Sequence, residues 1–293
     1  MRSFPAKLLL FGEHVLLLGA SALAMPVQKY CLRTAFRAAD RPVQDPDETQ
    51  LRFAGSDELA GLGSLDTDAF RTDLERGMYF LSNIPTGYGL GSSGALCAAV
   101  YDRYCKAKTD DLSVLKTDLA QMERFFHGAS SGIDPLTSYL GRPLLIRNKT
   151  QVEIADIKPD SGGVHVFLLD TRLPRRTGPL VKWFLEQSSS GVFAEKLRAG
   201  YLPAHEAMLE SWKTARFRDF WANAELVSRF QFEYFEPMIP ASVRPVWQRC
   251  LEQEKLLLKI CGAGGGGYFL GFAADKEATQ WLAELYPLVF PFE

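Results

Sequence analysis

Three glycines alternate with other residues in Pro85-Thr86-Gly87-Tyr88-Gly89-Leu90-Gly91-Ser92-Ser93-Gly94-Ala95, and two serines follow them at once. Glycine at these places lets the backbone turn tightly with its N–H groups exposed. The alanine-rich stretch from Gly94 to Cys105 reads as a helix, and a helix N-terminus offers an anion unpaired N–H groups and the positive end of a dipole. Ser92 and Ser93 stand where hydroxyls reach phosphate oxygens or a bound Mg²⁺. The segment therefore reads as a polyphosphate cradle, with Pro85, Gly87, Gly89, Leu90, Gly91, Ser92, Ser93 and Gly94 as the nucleotide-binding residues. A flexible turn capped by Ser92 is the plainer alternative. No Gly-Lys-Ser/Thr follows the glycines, so this is not a Walker A loop, and the flanking pattern of a dinucleotide loop is missing too.

Other residues carry chemistry elsewhere in the chain. Lys7 lies in an otherwise apolar strand, where an ammonium is costly unless paired, so a partner carboxylate is expected. Glu13 and His14 are polar residues between apolar runs, with His14 either lining a pocket or satisfied inside a core. Asp134, before Pro135, has the position of a helix cap, and Glu123 that of a solvated helix residue. Arg172, Arg175 and Arg176 form the densest basic spot, small enough to serve one anionic ligand. The run Gly264 to Gly267 implies close backbone approach or unusual torsions.

These residues need elements to hold them. Lys7 to Phe11 and Val15 to Leu18 read as two short buried strands around a polar turn, and Gln28 to Phe36 as a further strand. Ala39 to Asp47 is polar and proline-containing, hence a surface loop. Helical spacing covers Leu65 to Leu81, and Leu112 to Phe126 is a helix that starts at Asp110 or Asp111 and ends at Gly128. Asp134 opens a short helix. Leu144 to Ile157 and Val164 to Leu169 have strand character. Between them, Lys158 to Gly163 is rich in polar residues and glycine, which places a domain boundary there and divides the chain into 1–162 and 163–293. The second part reads as long helices between Leu180 and Leu256, strand Leu256 to Ile260, strand Tyr268 to Phe272, a helix from Lys276 to Leu285 and a final strand. There is no internal repeat.

Charge is nearly balanced, with 33 basic and 35 acidic residues, so no global basic field recruits nucleic acid. At 47% hydrophobic and 23% charged residues, the chain has the composition of a soluble protein with a real core. Cys31, Cys97, Cys105, Cys250 and Cys261 are odd in number and include no CxxC pair, which argues against zinc and disulfides and for a reducing cytoplasm. The polar pair Glu13-His14 interrupts the apolar N-terminal run and argues against a signal peptide. No apolar run is long enough to span a membrane.

Taken together, the motifs resemble those of the GHMP kinases. The loop Pro85 to Ala95 is similar to the family's second motif. Pro5-Ala6-Lys7 with Leu10-Phe11-Gly12-Glu13-His14 is similar to the first, and Lys259 to Gly267 to the third; the three lie in family order across almost the whole chain. Gly19, Ala22-Leu23-Ala24, His127-Gly128-Ala129-Ser130-Ser131-Gly132-Ile133-Asp134 and Pro174-Arg175-Arg176-Thr177 make the mevalonate kinases the most similar branch. Ala6 replaces the usual glycine, and Ser130 the usual proline. The resemblance implies an α+β, two-domain fold, ribosomal-protein-like at the N-terminus and ferredoxin-like at the C-terminus. It implies transfer of the ATP γ-phosphate to the 5-hydroxyl of mevalonate. Asp134 would be the catalytic carboxylate with Lys7 beside it, Ser93 and Glu123 the Mg²⁺ ligands, and Glu13, His14, Arg175, Thr177 and Gly264 the substrate-binding residues. The expected partner is a small-molecule substrate, without nucleic acid or membrane, and a homodimer stays open. Phosphomevalonate, homoserine or sugar kinases are alternatives, as is a non-catalytic ligand-binding protein of the same fold; retention of Lys7, Ser93, Glu123 and Asp134 together speaks against the last.

Overall fold

The computed structural model describes residues 2–37, 47–158, 163–174 and 177–293, with the side chain of Thr177 outside that description. Most of the loop read over Ala39 to Asp47, and the centre of the boundary segment, therefore lie outside the described residues. The chain folds as two compact units: Met1–Leu8, Pro26–Thr86 and Leu90–Pro143 form one, and Leu9–Met25, Gly87–Gly89 and Leu144–Glu293 the other. Strands β1 (Phe4–Phe11) and β2 (Ala22–Phe36), neighbours in the strand order, each contribute residues to both units.

In the first unit, β2 pairs antiparallel with β3 (Met78–Ser82), Thr34 opposite Phe80. Helices α1 (Glu48–Ala54), α2 (Asp57–Ala60), α3 (Thr67–Glu75), α4 (Ser92–Tyr104), α5 (Leu112–His127) and α6 (Ile133–Leu140) complete it. The helical spacing of Leu65 to Leu81 does not persist along its whole length. Gly77 takes a left-handed φ of 89°, which ends the helical path, and Met78 onward is recruited to the sheet. The end signals of α5 hold: the Asp111 carboxylate accepts from the amides of Ser113 (2.8 Å) and Val114 (3.1 Å), and Gly128 closes the helix at φ 72°. Phe53, Phe70, Phe125 and Phe126 form an aromatic cluster between α1, α3 and α5.

In the second unit, the start of β2 pairs with β4 (Leu144–Arg147), which turns back into β5 (Gln151–Ile154). The strand character read over Leu144 to Ile157 is thus that of a hairpin, folded where Asn148 and Lys149 adopt φ 48° and 66°. A second antiparallel sheet has the order β7 (Leu256–Ile260), β8 (Tyr268–Ala273), β6 (His165–Asp170), β9 (Leu288–Val289). Around it run α7 (Thr177–Ser189), α8 (Gly191–Lys196), α9 (Leu202–Lys213), α10 (Phe217–Tyr234) and α11 (Arg244–Leu251). The last helix is short, α12 (Gln280–Ala283) behind a 3₁₀ turn over Glu277–Thr279, where the sequence suggested Lys276 to Leu285. Phe11, Trp212, Phe220 and Phe272 make the aromatic centre of this unit.

Val15–Leu18 is a 3₁₀ turn, not a strand, and of its four residues only Val15 is buried. The chain leaves β geometry because Gly12 (φ 108°) and His14 (φ 63°) both turn left-handed. A Cβ on Gly12 would lie 2.3 Å from that of Ala22, so only glycine fits there. Among the described residues, no helix is long and apolar enough to cross a membrane.

Candidate active site

Four of the expected site residues converge in the first unit. β1 carries Lys7, whose amide donates to the Leu90 carbonyl (2.8 Å), while its Nζ lies 2.6 Å from Asp134 Oδ1. The Lys7 side chain is buried and that of Asp134 is 32% exposed, which leaves the carboxylate open to a ligand. Asp134 is not the helix cap; it sits in the first turn of α6, after Gly132 (φ 75°). α6 comes this close to α4 because Gly94 has no side chain: a Cβ there would stand 2.7 Å from Pro135 N and 2.8 Å from Asp134 C. Gly91 opens α4 with a left-handed φ of 72°, and a Cβ on it would meet Asp134 Oδ2 at 3.4 Å and Lys7 Cβ at 3.5 Å. The first-turn amides of α4 thus start beside the Lys7–Asp134 pair, an arrangement suited to an anion.

Ser93, on the first turn of α4, reaches Glu123 on α5: its hydroxyl donates to Oε1 at 3.1 Å and lies 2.9 Å from His127 Nε2. Glu123 is buried rather than solvated. Burial, helped by the Asp134 charge, pushes its carboxyl from 4.5 up to about 7, against opposing hydrogen bonds from Ser130 and Ser93 and the charge of Lys7. With both carboxylates ionised, Lys7 balances only one of them, and a divalent cation would relieve the remainder. Among the described residues no group of three His, Cys, Asp or Glu side chains converges. One carboxylate and one hydroxyl, Glu123 and Ser93, is instead a donor set that suits Mg²⁺ held jointly with phosphate oxygens.

The second unit holds the expected substrate-binding residues that the structure describes. Glu13 is buried and pairs with Lys259 Nζ at 2.6 Å, and the ammonium also donates to the Ile260 carbonyl at 3.1 Å. Gln231 ties this region together, donating to the Tyr201 hydroxyl (2.7 Å) and accepting from the Ile260 amide (2.8 Å). His14 lies 3.2 Å from the Ala263 carbonyl through Nε2 and packs on Phe184 and Phe235. Gly264 follows directly, at φ 77°, with the Met238 backbone where a Cβ would go. Gly87–Gly89, the tip of the glycine loop, groups with this unit, and the Tyr88 ring centre lies 4.7 Å from that of Tyr268. Arg175 lies outside the described residues, as does the side chain of Thr177.

Three participants escaped the sequence. Lys259 carried the same signal as Lys7, a lysine in an apolar strand, and its need of a carboxylate could have been foreseen. Ser130 was visible only as a departure from the family's proline. His127 lay in a motif without a role.

Residues 65–142 match the family model for the GHMP kinases N terminal domain. A mevalonate kinase of Pyrococcus abyssi is 32% identical over a stretch that covers 48% of this chain and 49% of that protein. A mevalonate kinase of Aeropyrum pernix is 26% identical over 96% of this chain and 90% of that protein. In fold, the chain is similar to the Streptococcus pneumoniae phosphomevalonate kinase, with a TM-score of 0.69 at 16% identity over 99% of this chain and 97% of that one. The matched N-terminal domain contains Gly91, Ser93, Glu123 and Asp134, and the likeness in sequence and fold extends through the second unit; residues 65–142 carry a GHMP kinases N terminal domain.

Proposed function

We propose that the chain is a mevalonate kinase, moving the γ-phosphoryl group of ATP to the 5-hydroxyl of mevalonate. The observation that carries the chemistry is the 2.6 Å pair of Lys7 and Asp134 beside the start of α4. Phosphoryl transfer asks a protein for positioning and charge stabilisation. Asp134 orients the acceptor hydroxyl and accepts its proton. Lys7 holds Asp134 in place and stabilises negative charge on the attacking oxygen. Pro85 to Gly94 hold the phosphates on backbone amides and hydroxyls. Ser93 and Glu123 would hold Mg²⁺, which would supply charge neutralisation at the phosphate oxygens. The choice of mevalonate rests on the names of the relatives. Glu13, His14, Gly264, Arg175 and Thr177 are assigned to the acceptor, with residues 1–162 and 163–293 as the two domains.

ADP release, measured with mevalonate, phosphomevalonate, homoserine or galactose as acceptor, tests the reading. Mevalonate should give the highest kcat/KM, and Asp134→Asn should lower kcat by about a thousandfold while ATP still binds. Preference for another acceptor moves the chain to another branch of the family. No stimulation by any of them removes the kinase reading, and an active Asp134→Asn removes that residue from catalysis.

A further inference from the structure

Ser130 has a geometry that no proline could supply. Its Oγ accepts a hydrogen bond from the Gly132 amide at 2.9 Å, so its one proton is free to be given elsewhere, and it is given to Glu123 Oε2 at 2.5 Å. The other carboxylate oxygen, Oε1, takes the hydroxyl of Ser93 at 3.1 Å, but that hydroxyl also lies 2.9 Å from His127 Nε2. A hydroxyl has a single proton. Ser93 thus has two polar neighbours, Glu123 and His127, whereas the Ser130 proton goes to Glu123 alone. The turn that presents Ser130 is itself held in place. Gly132 has φ 75°, and a Cβ on it would stand 2.4 Å from the Lys116 carbonyl oxygen, so the amide that orients Ser130 cannot easily move. No ion pair reaches Glu123 among the described residues, so hydrogen bonds hold this buried carboxylate in place.

We infer that Ser130 is a positioning residue for metal–nucleotide binding: its hydroxyl holds Glu123 by Oε2 and leaves Oε1 turned toward Ser93, the pair of oxygens that take the divalent cation. The inference rests on the assignment of Ser93 and Glu123 to Mg²⁺. It does not depend on which alcohol is phosphorylated. Groups that orient a metal ligand change metal affinity by about tenfold or more when removed.

The test uses the full-length chain with Mn²⁺ and a non-hydrolysable ATP analogue, bound Mn²⁺ being read by electron paramagnetic resonance without any acceptor. Ser130→Ala and Ser130→Pro should each weaken Mn²⁺ binding in the ternary complex about tenfold, and raise the Mg²⁺ concentration for half-maximal turnover to match, while KM for the acceptor stays unchanged. Ser130→Thr, which keeps the hydroxyl, should stay within about twofold of the parent. Urea unfolding of all three variants separates binding from stability. Parental Mn²⁺ affinity in Ser130→Ala overturns the inference. So does a Ser130→Thr variant that folds like the parent yet binds as weakly as Ser130→Ala, or binding that tracks unfolding free energy across the set. If Ser130→Thr is itself unfolded, Ser130→Ala against Ser130→Pro decides, because both lack the hydroxyl and must fall together. Failure of the parent to bind Mn²⁺ with nucleotide overturns this inference and the kinase reading alike. Binding without mevalonate turnover overturns only the choice of acceptor.

Discussion

Glu123 shows how one side chain can report on its surroundings. An exposed glutamate on α5 would titrate near its ordinary value; buried near Asp134, it is pushed up to about 7. A carboxyl whose pKa is higher in the folded than in the unfolded chain favours folding while it is protonated. Its contribution is complete below 4.5 and is lost as pH rises toward about 7. In the absence of metal and nucleotide, the protein should therefore lose stability between those limits, and Glu123→Gln should remove that part of the slope. Urea unfolding of parent and variant at pH 5 and pH 8 measures it: the variant gains on the parent at the higher pH. Equal pH slopes would show that burial does not strain this carboxylate. Adding Mg²⁺ and ATP should narrow the gap at pH 8, because a cation favours the ionised form that Gln cannot adopt.

At the scale of elements, the site depends on how closely two helices approach. The α4–α6 contact exists because Gly94 leaves room for the backbone of Asp134 and Pro135. Backbone cannot rotate away as a side-chain tip can, so Gly94→Ala should destabilise by about 1–3 kcal/mol and shift Asp134 from Lys7. The expected signature is a lower kcat. Gly200→Ala is the control, since a Cβ there meets nothing within 4 Å; it should be neutral or slightly stabilising by urea titration. Equal unfolding midpoints for the two variants would show that α4 and α6 adjust without cost.

At the scale of the whole chain, Glu13 and Lys259 meet across 246 residues with side chains only 2% and 3% exposed. A buried ion pair need not stabilise relative to apolar packing, but removal of one member leaves a charge stranded. Lys259→Met should cost about 3–5 kcal/mol in urea unfolding, and the double change with Glu13→Leu should recover much of it. A Lys259→Met protein as stable as the parent would mean that Glu13 finds another partner or takes up a proton.

What the sequence determined was local. The Pro85 to Ala95 loop with its helix, the start of α5 at Asp110 or Asp111 and its end at Gly128, and the demand of Lys7 for a carboxylate could all be read within a few residues, because caps, glycine torsions and the cost of a buried charge act at short range. The family motifs extended that reading to Ser93, Glu123 and Asp134 as members of one site. Only the tertiary structure decided the rest. Met78–Ser82 is a strand because β2 offers it a partner, against its own helical spacing. Val15–Leu18 is a turn because Gly12 closes on Ala22. Ser130 finds Glu123, and Lys259 finds Glu13, through contacts that no neighbouring residue announces. Hydrogen-bond direction and burial belong to pairs of groups, and the fold chooses the pairs.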